Sequence, residues 1–120
     1  MKNRNLQVLE KIVSEARVAL SFIEHCDFDA FNENELLKRA VCMTVINVGE
    51  LVKNLDNDFR ALHSDVPWKD IAGFRDIAAH KYQTLRMEDV YATVTDDFPE
   101  LISLLEEIMD CEASLENHSR

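Results

Sequence analysis

Glycine and proline are nearly missing from this chain, with two of each in 120 residues. Tight turns and hairpins consume those residues, so their scarcity argues against a turn-rich β fold and for long helices. Cysteine is sparse too. Cys26, Cys42 and Cys111 are odd in number and follow no paired spacing, which does not describe a disulfide framework and fits a reduced, cytoplasmic compartment. No apolar run approaches the ~18 residues of a membrane span. No signal peptide opens the chain, because Met1 to Arg4 lead straight into a polar-studded helix. A phosphate-binding glycine loop, a magnesium-type carboxylate cluster and an HExxH pair are all missing, so no cofactor or metal is implied.

Positive charge is also in short supply. Lys and Arg number 13 against 23 Asp and Glu, a net charge of −10. Such a chain repels polyanions at long range, so any nucleic-acid function must rest on a local cationic surface. Lys38, Arg39, Arg75 and Lys81 could form one if Arg39 and the motif converge. Much of the acid lies elsewhere, at Asp96-Asp97 and from Glu106 to Glu116.

What is present is helical periodicity. Leu6, Leu9, Ile12-Val13, Ala16, Leu20 and Ile23 recur at three- and four-residue steps and predict an amphipathic helix over 4–26. His25-Cys26 closes it; two adjacent ligand types without partners a turn away make a poor zinc signal. Residues 27–33 read as a loop, with Phe28 and Phe31 tucked beneath it as a minor cluster. Asn32 with Glu35 forms a capping box opening a second, central helix over 33–56, whose stripe runs from Leu36-Leu37 to Leu55. Gly49 interrupts it at a cost of roughly 1 kcal/mol relative to alanine, a sign that it admits a neighbouring helix or relieves crowding beside Glu50. Residues 57–66 read as a short helical turn and a loop, with Phe59 and Leu62 inward and His63 on the surface. Pro67 suits the first helical position. Trp68, Ile71, Phe74 and Ile77-Ala78 make the buried stripe of the helix that follows. A connection over 83–86 leads to a further helix, broken near Asp96-Asp97 and Pro99. A last helix covers 99–113, and a polar tail runs from about 114 to 120. The chain is one domain, 1–120: all-α, an antiparallel bundle of four main helices, the last broken near Pro99.

One stretch combines groups able to perform a reaction. Pro67 to Tyr82 reads P-W-K-D-I-A-G-F-R-D-I-A-A-H-K-Y. Arg75 supplies a phosphate clamp, and His80 supplies proton transfer. On an ideal helix, positions five apart diverge by about 140° and rise roughly 7.5 Å, so the two do not share a stripe. Convergence requires the helix to loosen near Tyr82, or a second copy to face the first. Ala78 and Ala79 favour the second route, since small side chains let backbones approach. Glu50 reads first as an ion-pair partner of Arg75 or Arg39, and second as a base. Arg39 is either a solvated charge or a second phosphate contact.

Arg75, His80 and Tyr82 fit the pattern R-x4-H-x-Y. With Trp68, Ile71, Gly73-Phe74 and the upstream Gly49-Glu50, the chain resembles the HEPN superfamily in its HepT-like ribonuclease toxin branch. Asp76 stands where many members carry asparagine and adds a negative charge beside the phosphate site. The resemblance implies a compact helical homodimer that cleaves RNA (a tRNA or an mRNA) rather than DNA, without metal, at a site shared across the dimer. Arg75 and His80 are then catalytic. It also implies a partner, a minimal nucleotidyltransferase antitoxin of a type VII-like pair, which transfers AMP onto the motif tyrosine, here Tyr82. On the residues alone Tyr82 could equally cap the core. Two rival readings remain: a helical nucleotide-binding or docking subunit without catalysis, and a purely structural dimer.

Overall fold

The computed structural model describes residues 4–118, and among them there are helices and no strands. The long elements are α1 (Arg4–Phe22), α3 (Glu35–Lys53), α5 (Trp68–His80) and the run from α6 (Met87–Ala92) into α7 (Phe98–His118). Two short helices, α2 (Phe28–Glu33) and α4 (Asn57–Leu62), join them. The all-α class and the four-helix plan agree with the sequence. α3 is central, packed on α1 along one side and on α5 along the other, and α7 closes the far side of α1. α1 and α3 run antiparallel: Arg4 donates to the Asn54 carbonyl at one end, and Asn47 donates to Glu15 further along. Leu9, Ile12, Val41, Val48, Val52 and Leu105 lie fully inside.

Several boundaries differ from the sequence reading, each for a local reason. α1 ends at Phe22, not at 26, because Ile23 bonds the Leu20 carbonyl in a tighter turn. Residues 28–33 are helical rather than looped, since the Asp27 carboxylate accepts from the Ala30 amide and caps a helix start. Phe31 joins the main core beside Tyr91, whose hydroxyl donates to the Cys26 carbonyl, so it is not part of a minor cluster. The cap of α3 is Asn34, accepting from the Leu37 amide, instead of Asn32, and the helix covers 35–53 rather than 33–56. That shift leaves Leu36 81% exposed. Leu62, expected inside, is also exposed, whereas His63 is half-buried against the Phe59 ring with Nε2 enclosed and unpaired.

Pro67 lies just outside α5, which begins at Trp68. The Trp68 indole N–H donates to the carbonyls of Arg60 and His63, satisfying the end of α4 and fixing where α5 starts. The expected break near Pro99 is instead a π turn over Thr93–Asp97, where the Phe98 amide bonds the Thr93 carbonyl. Val90, Val94 and Phe98 are all buried at strict four-residue steps. An ideal helix would rotate such a series off the core by about 40° per step, and the wider turn removes that drift. α7 continues helical to His118, beyond the 113 expected; Ser119 and Arg120 lie outside the described residues. No helix is long and apolar enough to cross a membrane among the described residues.

Candidate active site

The seam between α3 and α5 holds the motif, and glycine sets its width. A Cβ built on Gly49 would fall 2.1 Å from the Arg75 Cβ and 2.7 Å from its Cγ, with the Ile71 carbonyl at 3.2 Å. Only hydrogen fits there, so Gly49 admits α5 and brings the root of Arg75 onto α3. Gly73 is the opposite case, with nothing within 4 Å.

Arg75 is therefore held from below and aimed along the seam. Its Nη2 pairs with Glu50 at 2.9 Å and its Nη1 with Asp76 at 3.2 Å. Nε is buried with no partner, so the two Nη groups are the ones that can meet a substrate. Asp76 in turn accepts from Lys53 at 2.6 Å. The hydrogen bond from Lys53, then that from Arg75, holds its carboxyl below the usual aspartate range. A ladder of alternating sign results, Lys53–Asp76–Arg75–Glu50. The extra charge of Asp76 is thus compensated by Lys53. Glu50 is half-exposed, so the outer end of the pair is open to an incoming phosphate that competes for Arg75.

α5 ends at His80. The backbone of Lys81 leaves the helix, and Tyr82–Thr84 forms a 3-10 turn. Loosening at this point carries Tyr82 back onto α3, where the Arg39 guanidinium lies 5.0 Å from its ring centre. Burial chiefly, with smaller contributions from Cys42 and Glu35, raises the Tyr82 phenol above its ordinary pKa. Cys42 itself is pushed up to about 11 by burial and is an inert core residue.

Arg39 meets the motif at Tyr82 and not at Arg75. Arg39 and Glu50 are eleven residues apart on α3, roughly 16 Å along its axis, so Arg39 and Arg75 do not converge within one chain. Lys38 and Arg39 share the single carboxylate of Glu35, so one positive charge of that trio is left over. Within α5 the structure separates Arg75 from His80: Arg75 faces α3 and is largely covered, while His80 is exposed. Ala78 is buried in its own chain, as its place on the apolar stripe predicts, which leaves only Ala79 of the small pair exposed to a second copy. Ile77, placed on the buried stripe by its spacing, is 47% exposed. Lys53 is the residue the sequence reading missed. Its only signal was a position three beyond Glu50, on the turn of α3 facing Asp76. Among the described residues no group of three or more His, Cys, Asp or Glu is placed to hold a metal ion.

The family described as "Ribonuclease HepT-like" matches residues 6–108. "Putative RNase TTE0752" of Caldanaerobacter subterraneus is 36% identical over 104 residues, covering 87% of this chain and 93% of that protein. "Probable ribonuclease HepT" of Thermococcus cleftensis is 30% identical over 108 residues, covering 90% and 98%. "Putative RNase MJ0127" of Methanocaldococcus jannaschii is 33% identical over 110 residues, covering 91% of each. No solved structure matches the chain. On the family match and these full-length relatives, this chain belongs to the HepT-like ribonuclease family.

Proposed function

We propose that the protein is a metal-independent endoribonuclease whose site is completed by a second copy of the chain. The observation that carries this reading is the divergence on α5. Gly49 fixes Arg75 in the seam while His80 projects to solvent at the last helical residue, so one chain presents the two groups in different directions. A facing copy related by a two-fold axis would supply a His80 from each chain to one cleft.

RNA brings its own nucleophile. One His80 accepts the 2′-hydroxyl proton as O2′ attacks phosphorus; the other donates a proton to the departing 5′-oxygen. The new O2′–P bond replaces the P–O5′ bond, leaving a 2′,3′-cyclic phosphate and a free 5′-hydroxyl. Arg75, released from Glu50, takes the charge that accumulates on the phosphorane oxygens. Lys53 shares the Asp76 carboxylate with Arg75 and so weakens its hold on the guanidinium.

Control by a minimal nucleotidyltransferase belongs to the same proposal, as one half of a toxin–antitoxin pair. Tyr82 would attack the α-phosphate of ATP, releasing pyrophosphate, and the bulky adenylate would block the cleft. Burial raises its phenol above the ordinary pKa, so the attack needs a base to take the phenolic proton. A second reading, a helical docking or nucleotide-binding subunit without catalysis, is favoured by one observation: Arg75 already stands between two carboxylates.

Purified protein with a single-stranded RNA decides between them. Wild type should cut in the presence of EDTA and leave cyclic phosphate ends, and Arg75→Ala and His80→Ala should both be inactive while remaining helical. Full activity in folded His80→Ala would sink the assignment, and wild-type protein that binds but never cuts would establish the docking reading.

A further inference from the structure

α5 packs chiefly on the side that faces α3. Its extensive contact is with α3, and a groove lies between it and the π turn and α7. The groove holds a cavity of about 370 Å³ floored by Val45, Val48, Ile71, Phe74, Leu101 and Leu104. It runs on into a second hollow of about 460 Å³ that shares Phe74, Thr93 and Asp97 and ends at the exposed Ile77. Asp70, Asp97 and Glu100 rim the first part, Asp89 and Asp96 the second, and Arg86 is the one cation lining either.

We propose that this groove docks a partner protein through an amphipathic segment with aliphatic side chains on one face and lysines or arginines beside them. The floor accepts the aliphatic groups and removes them from water. The rim sets the sign of what flanks them: five carboxylates against one arginine repel RNA and attract cations. Crowding is already felt there. Burial, then Asp96 and Glu100, raises the Asp97 carboxyl above its ordinary pKa, and a partner cation would relieve that repulsion. A second copy of this chain suits the groove poorly. Its exposed Leu36 neighbours Lys38 and Arg39, and after their shared pairing with Glu35 one positive charge is left to meet five carboxylates. Since α5 forms one wall and carries Arg75 and His80, an occupant would bear on the motif from the side away from the seam.

The test needs no activity, so it is independent of the ribonuclease reading. The full chain is titrated against a fluorescent synthetic amphipathic Leu/Lys helix, and against the same peptide with glutamate in place of lysine. Two triple variants remove equal charge: Asp70→Asn/Asp97→Asn/Glu100→Gln in the groove, and Glu107→Gln/Asp110→Asn/Glu112→Gln on the distal part of α7. The lysine peptide should bind wild type, the glutamate peptide should not, and amide shifts should map to Phe74 and Leu101. The groove triple should weaken binding on the order of tenfold and the distal triple less than about twofold. Equal weakening by both triples would reduce the effect to net charge and overturn the proposal. Shifts elsewhere would overturn it too, as would loss of self-association in the groove triple, which would make a second copy the occupant.

Discussion

Gly49→Ala is the substitution in which two ordinary effects have opposite signs and the structure decides between them. In an exposed helix the change stabilises by about 1 kcal/mol, through propensity alone. Here the added methyl would stand 2.1 Å from the Arg75 Cβ, which is bonded to the α5 backbone and cannot swing away. Ordinary carbon contacts lie at roughly 3.5–4.0 Å, so α5 must retreat by about 1.5 Å or α3 must bend. Overpacking of this kind costs about 1–3 kcal/mol, which outweighs the propensity gain and leaves a net loss of up to about 2 kcal/mol. Gly73→Ala is the control, because nothing lies within 4 Å of its Cβ; it should gain up to about 1 kcal/mol. Urea unfolding followed by far-UV circular dichroism, at one fixed protein concentration, reads both signs. A displacement of this size at Arg75 should also lower RNA cleavage about 100-fold. A Gly49→Ala protein more stable than wild type, with unchanged cleavage, would show that α5 does not approach α3 as described.

The other expectations follow from single groups. Lys53→Ala should lower turnover severalfold by freeing Asp76 to hold Arg75, Lys53→Arg should restore it, and in an Asp76→Asn background Lys53→Ala should cost little; equal losses in both backgrounds would mean Lys53 does not act through Asp76. Asp97 has a raised pKa, so the folded state binds its proton more readily than the unfolded state does, and wild-type stability falls as pH rises through that folded value. Asp97→Asn should therefore raise Tm at neutral pH, and the gain should vanish below the ordinary aspartate range; a gain independent of pH would contradict this. Tyr82→Phe keeps the ring beneath Arg39 and should retain cleavage, yet take up no adenylate when mixed with the nucleotidyltransferase and ATP, as intact-mass spectrometry would record.

The helices were legible because their apolar residues recur at helical steps, and these steps survive in the core from Leu6 to Ile108. Boundaries were less so. Asp27 and Asn34 are the true caps, but Asn32 offered an equally good capping pattern three residues before a glutamate. The π turn was encoded in the repeated four-residue spacing of Val90, Val94 and Phe98, which the conspicuous Pro99 obscured. At the site, the role of Gly49 could be narrowed to two possibilities, and the structure selects close helix approach. Pairing was harder. Lys53–Asp76 joins residues on two helices, and no sequence period reports which long side chains meet across a seam. Ile77 illustrates the same limit: its spacing matches the core, but the neighbour that would cover it is missing from α5's outer side.

The central claim, that Arg75 and His80 act at a site shared by two chains, is tested most directly by mixing subunits. Wild-type and His80→Ala chains are unfolded together at equal amounts, refolded so that they pair at random, and assayed for RNA cleavage in EDTA. If each site needs a His80 from both chains, only wild-type pairs cut, and activity falls to roughly a quarter of the all-wild-type sample. Activity at roughly half, the value for simple dilution of self-sufficient chains, would contradict the account.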